Sequence, residues 1–70
     1  MAEIRAEMVA NVWKLVVTEG SAVDAGDEIC ILESMKMEIP VVTETAGVLQ
    51  RFTVAEGDAV QEGDVIAVVA

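Results

Sequence analysis

Val17-Thr18-Glu19-Gly20-Ser21-Ala22-Val23-Asp24-Ala25-Gly26-Asp27-Glu28-Ile29-Cys30-Ile31-Leu32 recurs 37 residues later as Val54-Ala55-Glu56-Gly57-Asp58-Ala59-Val60-Gln61-Glu62-Gly63-Asp64-Val65-Ile66-Ala67-Val68-Val69, with eight of sixteen positions identical. The identities pair Val17 with Val54, Glu19 with Glu56, Gly20 with Gly57, Ala22 with Ala59, Val23 with Val60, Gly26 with Gly63, Asp27 with Asp64 and Ile29 with Ile66. Two copies are too few for a solenoid, which needs about three repeats to bury its faces. The duplication therefore predicts two similar halves packed about a pseudo-two-fold axis. Each half reads strand, Glu-Gly turn, short Val-centred link, Gly-Asp turn, strand. The four glycines Gly20, Gly26, Gly57 and Gly63 fall where the chain reverses, and glycine alone takes positive φ without a steric penalty.

Outward from the repeat, Lys14 aligns with Arg51 while Leu15 aligns with Phe52 and Val17 with Val54. Side chains alternate between the faces of a strand, so the charged pair faces out and Leu15, Val17, Phe52 and Val54 face in. The same alternation predicts Ile29, Ile31, Ile66 and Val68 as core, with Leu32 and Val69 partly covered on the opposite face. Trp13 aligns with Gln50, which suggests a rim position. Expected strands are 4–9, 12–18, 28–33, 38–43, 47–54 and 64–69, arranged as two small sheets pressed together or a flattened barrel that hides its edges.

Composition agrees with an all-β chain. There are 13 Val and 5 Ile against 3 Leu and 1 Phe, and β-branched side chains suit a pleated surface. An apolar content of 54% with a single Pro speaks against disorder. Seventy residues bury only about 60% of their unfolded surface, so one domain over 1–70 is expected, with no enclosed catalytic cavity. Thirteen acids against four cations give a net charge of -9, a poor match to a phosphate backbone, so no nucleic-acid partner is expected. Uncharged runs such as Met8 to Trp13 and Val65 to Ala70 are six residues long, far below the roughly 20 a membrane-spanning helix needs. The start, Met1-Ala2-Glu3-Ile4-Arg5, has no apolar signal region, so a cytoplasmic protein is expected, as a monomer. The lone Cys30 lies in an apolar run and reads as a small buried hydrophobe.

The repeat leaves over Leu32-Glu33-Ser34-Met35-Lys36-Met37-Glu38-Ile39-Pro40, where a hairpin is expected to reverse around Met35-Lys36. Two-residue hairpin turns favour Asn-Gly or other glycine-containing pairs, and Met-Lys offers neither. Residues that form a turn this poorly are kept for another purpose. Thioethers on both sides of an amine make a soft apolar collar, suited to a large neutral group hung on that amine. A solubilising lysine between misplaced core methionines is the competing account. An exposed lysine amine is protonated near neutral pH, so a separate enzyme has to deprotonate and modify it. With no His, no Tyr and one Cys, the chain builds no imidazole relay, Cys-His pair or zinc site. The acids Asp24, Asp27 and Glu28, and likewise Asp58, Glu62 and Asp64, lack EF-hand spacing and read as solvated turns.

At Glu33-Ser34-Met35-Lys36-Met37-Glu38 the sequence resembles the biotinyl domains of biotin-dependent carboxylases, within the biotin/lipoyl attachment family, and the likeness covers nearly the whole chain. The nearest resemblance is to small stand-alone biotin/lipoyl attachment proteins. It implies a flattened β-barrel, or barrel-sandwich hybrid, of two four-stranded antiparallel sheets with pseudo-two-fold symmetry. The modified lysine then sits on a hairpin opposite the termini. No protruding thumb of the kind found in some acetyl-CoA carboxylase carriers is expected. Met1 and the absence of an Ala/Pro-rich tether favour a free carrier over an excised piece.

By that resemblance Lys36 receives covalent biotin from a biotin protein ligase through a biotinyl-adenylate. Met35 and Met37 match the flanking methionines, and Glu33 looks like the acid that helps the ligase accept its substrate. Ser34 stands where the motif more often has Ala. Glu-Ser before the lysine also resembles the lipoylated glycine-cleavage carrier, but lipoyl domains usually lack paired methionines, so biotin is favoured over lipoate. The implied role is a shuttle and not an enzyme: a biotin carboxylase charges the ureido nitrogen, and a carboxyltransferase passes the carboxyl to an acceptor that the sequence does not name. A lipoyl-carrying or dually modified domain is one alternative, and an unmodified interaction module is the other.

Overall fold

A computed structural model describes residues 2–70; Met1, read above as favouring a free carrier, lies outside the described residues. The chain forms eight strands: β1 (Ala2–Arg5), β2 (Ala10–Leu15), β3 (Ala22–Val23), β4 (Glu28–Ser34), β5 (Met37–Val42), β6 (Gly47–Phe52), β7 (Ala59–Val60) and β8 (Val65–Val69). They make two antiparallel four-stranded sheets, ordered β1-β8-β6-β3 and β5-β4-β2-β7. The sheets share one apolar core and do not close into a single barrel. Adding 37 to each residue number carries β2 onto β6, β3 onto β7 and β4 onto β8, while β1 maps onto β5. The pseudo-two-fold therefore exchanges the two sheets. Among the described residues there is no helix, hence none long and apolar enough to cross a membrane.

The identical positions of the repeat have physical reasons. Val23 and Val60 are buried in the same cluster as Ile29 and Ile66. Gly20 and Gly57 have φ of 89° and 93°, which L side chains rarely adopt. Their amides close equivalent bonds, Gly20 to the Leu49 carbonyl and Gly57 to the Val12 carbonyl, both at 2.7 Å. Asp27 and Asp64 each accept a backbone N–H three residues earlier, at 2.8 and 2.9 Å. Glu19 and Glu56 join the halves: Glu19 accepts the Phe52 N–H at 2.9 Å, and Glu56 accepts the Leu15 N–H at 3.0 Å.

Duplicated β-bulges also govern which side chains reach the core. Trp13 on β2 and Gln50 on β6 are the extra residues opposite β4 and β8, and Ile29 and Ile66 are the extra residues opposite β5 and β1. A bulge shifts the inside-outside phase of the strand that carries it. This corrects the expected alternation. Ile29, Cys30 and Leu32 are all fully buried, whereas Ile31 is only half-buried. Val68 is buried but stands outside the central cluster, in register with Glu3 and Arg51, while Val69 belongs to it. Leu15, Val17, Phe52 and Val54 pack inward as expected.

Strand boundaries differ from expectation at several ends, β2 spanning Ala10–Leu15 where 12–18 was expected and β6 ending at Phe52 where residue 54 was expected. The first strand ends at Arg5 and not at residue 9, because the Ala6 amide and carbonyl turn to Asp64 and Gly63 and the chain then bends towards β2. The Val-centred links are two-residue strands, β3 and β7, which complete the two sheets. Edge strand β5 carries Pro40, which has no amide to offer a neighbouring chain and so blunts that edge.

Candidate functional site

β4 is a central strand, held between β5 and β2, and its tail projects the site. The β4–β5 ladder runs from Glu28↔Val42 to Glu33↔Glu38 and Ser34↔Met37, which leaves Met35 and Lys36 as a two-residue loop. Buried Leu32, paired with Ile39, anchors the ladder two pairs below the loop. A two-residue loop must match the right-handed twist of its strands, which selects a turn with positive φ at both central residues. Met35 and Lys36 have φ of 50° and 68°, and they are the only non-glycine residues with positive φ among those described. An L residue in this left-handed region costs roughly 1–2 kcal/mol.

The strained tip presents its side chains to solvent. Lys36 is exposed, and among the described residues its ammonium takes part in no hydrogen bond or ion pair; the sole ion pair there joins Arg5 to Glu3. Met35 is 93% exposed and Met37 65%, so neither methionine is a core residue. Ser34 is half-buried at the base of the turn, opposite Met37. Glu33 and Glu38 are exposed and stand directly across from each other, an arrangement of like charges that weakens a ladder. The structure thus brings Glu33, Ser34, Met35, Lys36 and Met37 onto one hairpin. Asn11 continues the row beyond Glu33, and its role as a neighbour was not readable in the sequence because it depends on β2 lying beside β4.

Among the described residues no three His, Cys, Asp or Glu side chains converge as metal ligands would. Cys30 is fully buried, and burial pushes its thiol up to about 11. A groove of about 410 Å³ runs between edge strands β1 and β5, lined by Ile4, Leu32, Ile39 and Val41, and it lies on the pseudo-two-fold axis.

The two-sheet body holds Lys36 exposed at a hairpin tip, the arrangement of an attachment domain. The chain belongs to the biotin/lipoyl family described as "Biotin-requiring enzyme", which matches residues 2–69. It is 51% identical over 70 residues to the biotinylated protein TB7.3 homolog of Mycobacterium leprae, covering 99% of both chains. The fold superposes on part of the Kluyveromyces lactis urea carboxylase with a TM-score of 0.93 and 33% identity, covering 99% of this chain and 6% of that one. It also matches the lipoyl domain of the Azotobacter vinelandii 2-oxoglutarate dehydrogenase complex, with a TM-score of 0.77, 23% identity and coverage of 96% and 95%, a likeness of fold.

Proposed function

We infer that residues 1–70 act as one biotin carboxyl carrier domain in which Lys36 is the attachment residue. The observation that carries this reading is the left-handed Met35-Lys36 turn, which holds a solvent-exposed, unpaired amine between two exposed thioethers. The residues present fit the group. An amide at Nζ removes a charge that no partner among the described residues pairs with, and the methionines give the neutral arm an apolar seat. The relative named for its biotinylation, and the carboxylase that contains the same fold, support biotin over lipoate.

In this reading Lys36 would hold biotin as an amide at Nζ, installed by a biotin protein ligase from biotinyl-adenylate, with the ammonium giving up two protons, the acyl–phosphate bond breaking and AMP leaving. Glu33 orients the hairpin for the ligase, and Ser34 sets the base of the turn against Met37. When bound, biotin supplies a ureido nitrogen able to carry a carboxyl group between a biotin carboxylase and a carboxyltransferase. The chain itself positions the arm. Its stiff body loses little entropy at each docking, and its charge of -9 draws it towards basic partner surfaces in a salt-sensitive way. It works as a cytoplasmic monomer.

Intact-mass spectrometry of the protein from its native host tests the reading. A biotin increment that disappears in Lys36→Arg supports it. A lipoyl increment replaces it with the acyl-carrier reading, and an unmodified chain replaces it with a simple interaction module. Streptavidin binding reports the first outcome directly.

A further inference from the structure

Oxidisable sulfur is distributed unevenly over this chain. Its one cysteine, Cys30, is shut inside the core, with its thiol held in the neutral form by burial, so the thiolate that peroxides attack is both scarce and out of reach. The thioethers are graded in exposure. Met35 is 93% exposed, Met37 65% and Met8 38%. Among the described residues the two most exposed methionines therefore flank Lys36, at the one non-glycine turn with positive φ.

We propose that Met35, followed by Met37, is a peroxide-sensitive modification site, and that sulfoxide at these positions slows the loading of Lys36. This rests on the attachment reading above. The step is an oxygen transfer: the thioether sulfur attacks one oxygen of hydrogen peroxide, the O–O bond breaks, an S–O bond forms and water leaves. Sulfur is oxidised by two electrons and peroxide is reduced by two. The product is a polar, chiral side chain in place of an apolar, flexible one, and methionine sulfoxide reductases reverse it.

The location confines the consequence to the tip. Neither sulfur contributes to the core cluster, so oxidation removes no buried contact and leaves the body folded. Adjacent Cα atoms are about 3.8 Å apart, so any enzyme that admits the Lys36 amine into its cleft admits the neighbouring side chains with it. A ligase cleft that seats thioethers then has to desolvate sulfoxide oxygens, which costs affinity.

The test uses the full chain and graded hydrogen peroxide, read by peptide mass mapping, melting and ligation with biotin protein ligase, ATP and biotin. Among the described residues, oxygen addition is expected at Met35 first, then Met37, with Met8 behind and Cys30 unmodified. The tip-oxidised protein should show an unchanged melting temperature, about a tenfold drop in ligation kcat/KM carried mainly by KM, and recovery with the reductase. In a Met35→Leu, Met37→Leu double variant, peroxide should no longer change the ligation rate from that variant's own untreated value. Oxidation at Met8 or Cys30 ahead of Met35 overturns the site. Equal loading of oxidised and untreated protein overturns the gating alone. No loading of untreated protein overturns the attachment reading and the gating together, while the oxidation order still reads the site.

Discussion

Replacing Met35-Lys36 by Asn-Gly should make the protein more stable. Both residues occupy the left-handed region, at φ of 50° and 68°, where an L side chain crowds the neighbouring carbonyl at a cost of about 1–2 kcal/mol each. Asn tolerates that region and Gly is free in it, so the double variant M35N/K36G relieves most of the strain. Glycine returns about 0.5–1 kcal/mol through the greater freedom of the unfolded chain, which leaves a net gain of about 1–2 kcal/mol. For 70 residues the unfolding entropy is about 0.15 kcal/mol/K, so the melting temperature should rise by about 7–14 °C. Thermal and urea unfolding of unmodified protein give the measurement. Lys36→Ala is the control, because it removes the charge and keeps the strain, and its melting temperature should stay near the parent's. An unchanged or lowered value for the double variant would refute the strained-tip account.

Three further outcomes follow from the body of the domain. Glu19→Ala and Glu56→Ala should each lower stability by about 1 kcal/mol and by similar amounts, since each removes an equivalent charge-assisted bond between the halves; a clear inequality in urea midpoints would contradict the symmetry. Gly47→Ala should destabilise more than Gly20→Ala, by about 2 kcal/mol or more, because its new Cβ would collide with the Ala70 carbonyl that pairs with Val48, whereas a Cβ on Gly20 meets open space and incurs only the dihedral cost. The thiol of Cys30 lies at about 11 when folded against 9.0 when free, so its contribution is complete below pH 9 and is lost as pH rises to 11, by on the order of 2 kcal/mol; Cys30→Ala should flatten that alkaline decline, and parallel pH profiles for the two proteins would disprove it.

The fold was legible where one residue type has one physical use. Gly20 and Gly57 announce positive φ, Ile29 and Ile66 the core, and the 37-residue duplication two equivalent halves. Ile31 and Leu32 were placed on the wrong faces because the bulge at Ile29 shifts the phase, and an isoleucine there looks the same whether or not it is the extra residue. β3 and β7 are two residues long, too short for an alternation to show. Lys36 stood out because the repeat does not account for it. The opposition of Glu33 to Glu38 required the hairpin register, and the nearness of Asn11 required the order of strands, which are long-range choices that no local pattern encodes.

Strain at the tip has to be weighed against the whole molecule. A domain of 70 residues is held by about 4–10 kcal/mol in total, so two left-handed L residues spend a large fraction of what is available. The remaining turns show how the chain avoids such a cost. Gly20, Gly26, Gly57 and Gly63 occupy the left-handed positions of the duplicated turns, and the buried Thr43 hydroxyl is satisfied by bonds with Thr45. Among the described residues no buried side-chain polar atom lacks a partner. Local sequence and backbone geometry thus agree through both halves and disagree at Met35-Lys36, and such disagreements gather at functional sites, where the side chains do something the turn does not need. The body is regular enough to bear one costly hairpin, and that hairpin is where an exposed lysine makes no hydrogen bond or ion pair among the described residues.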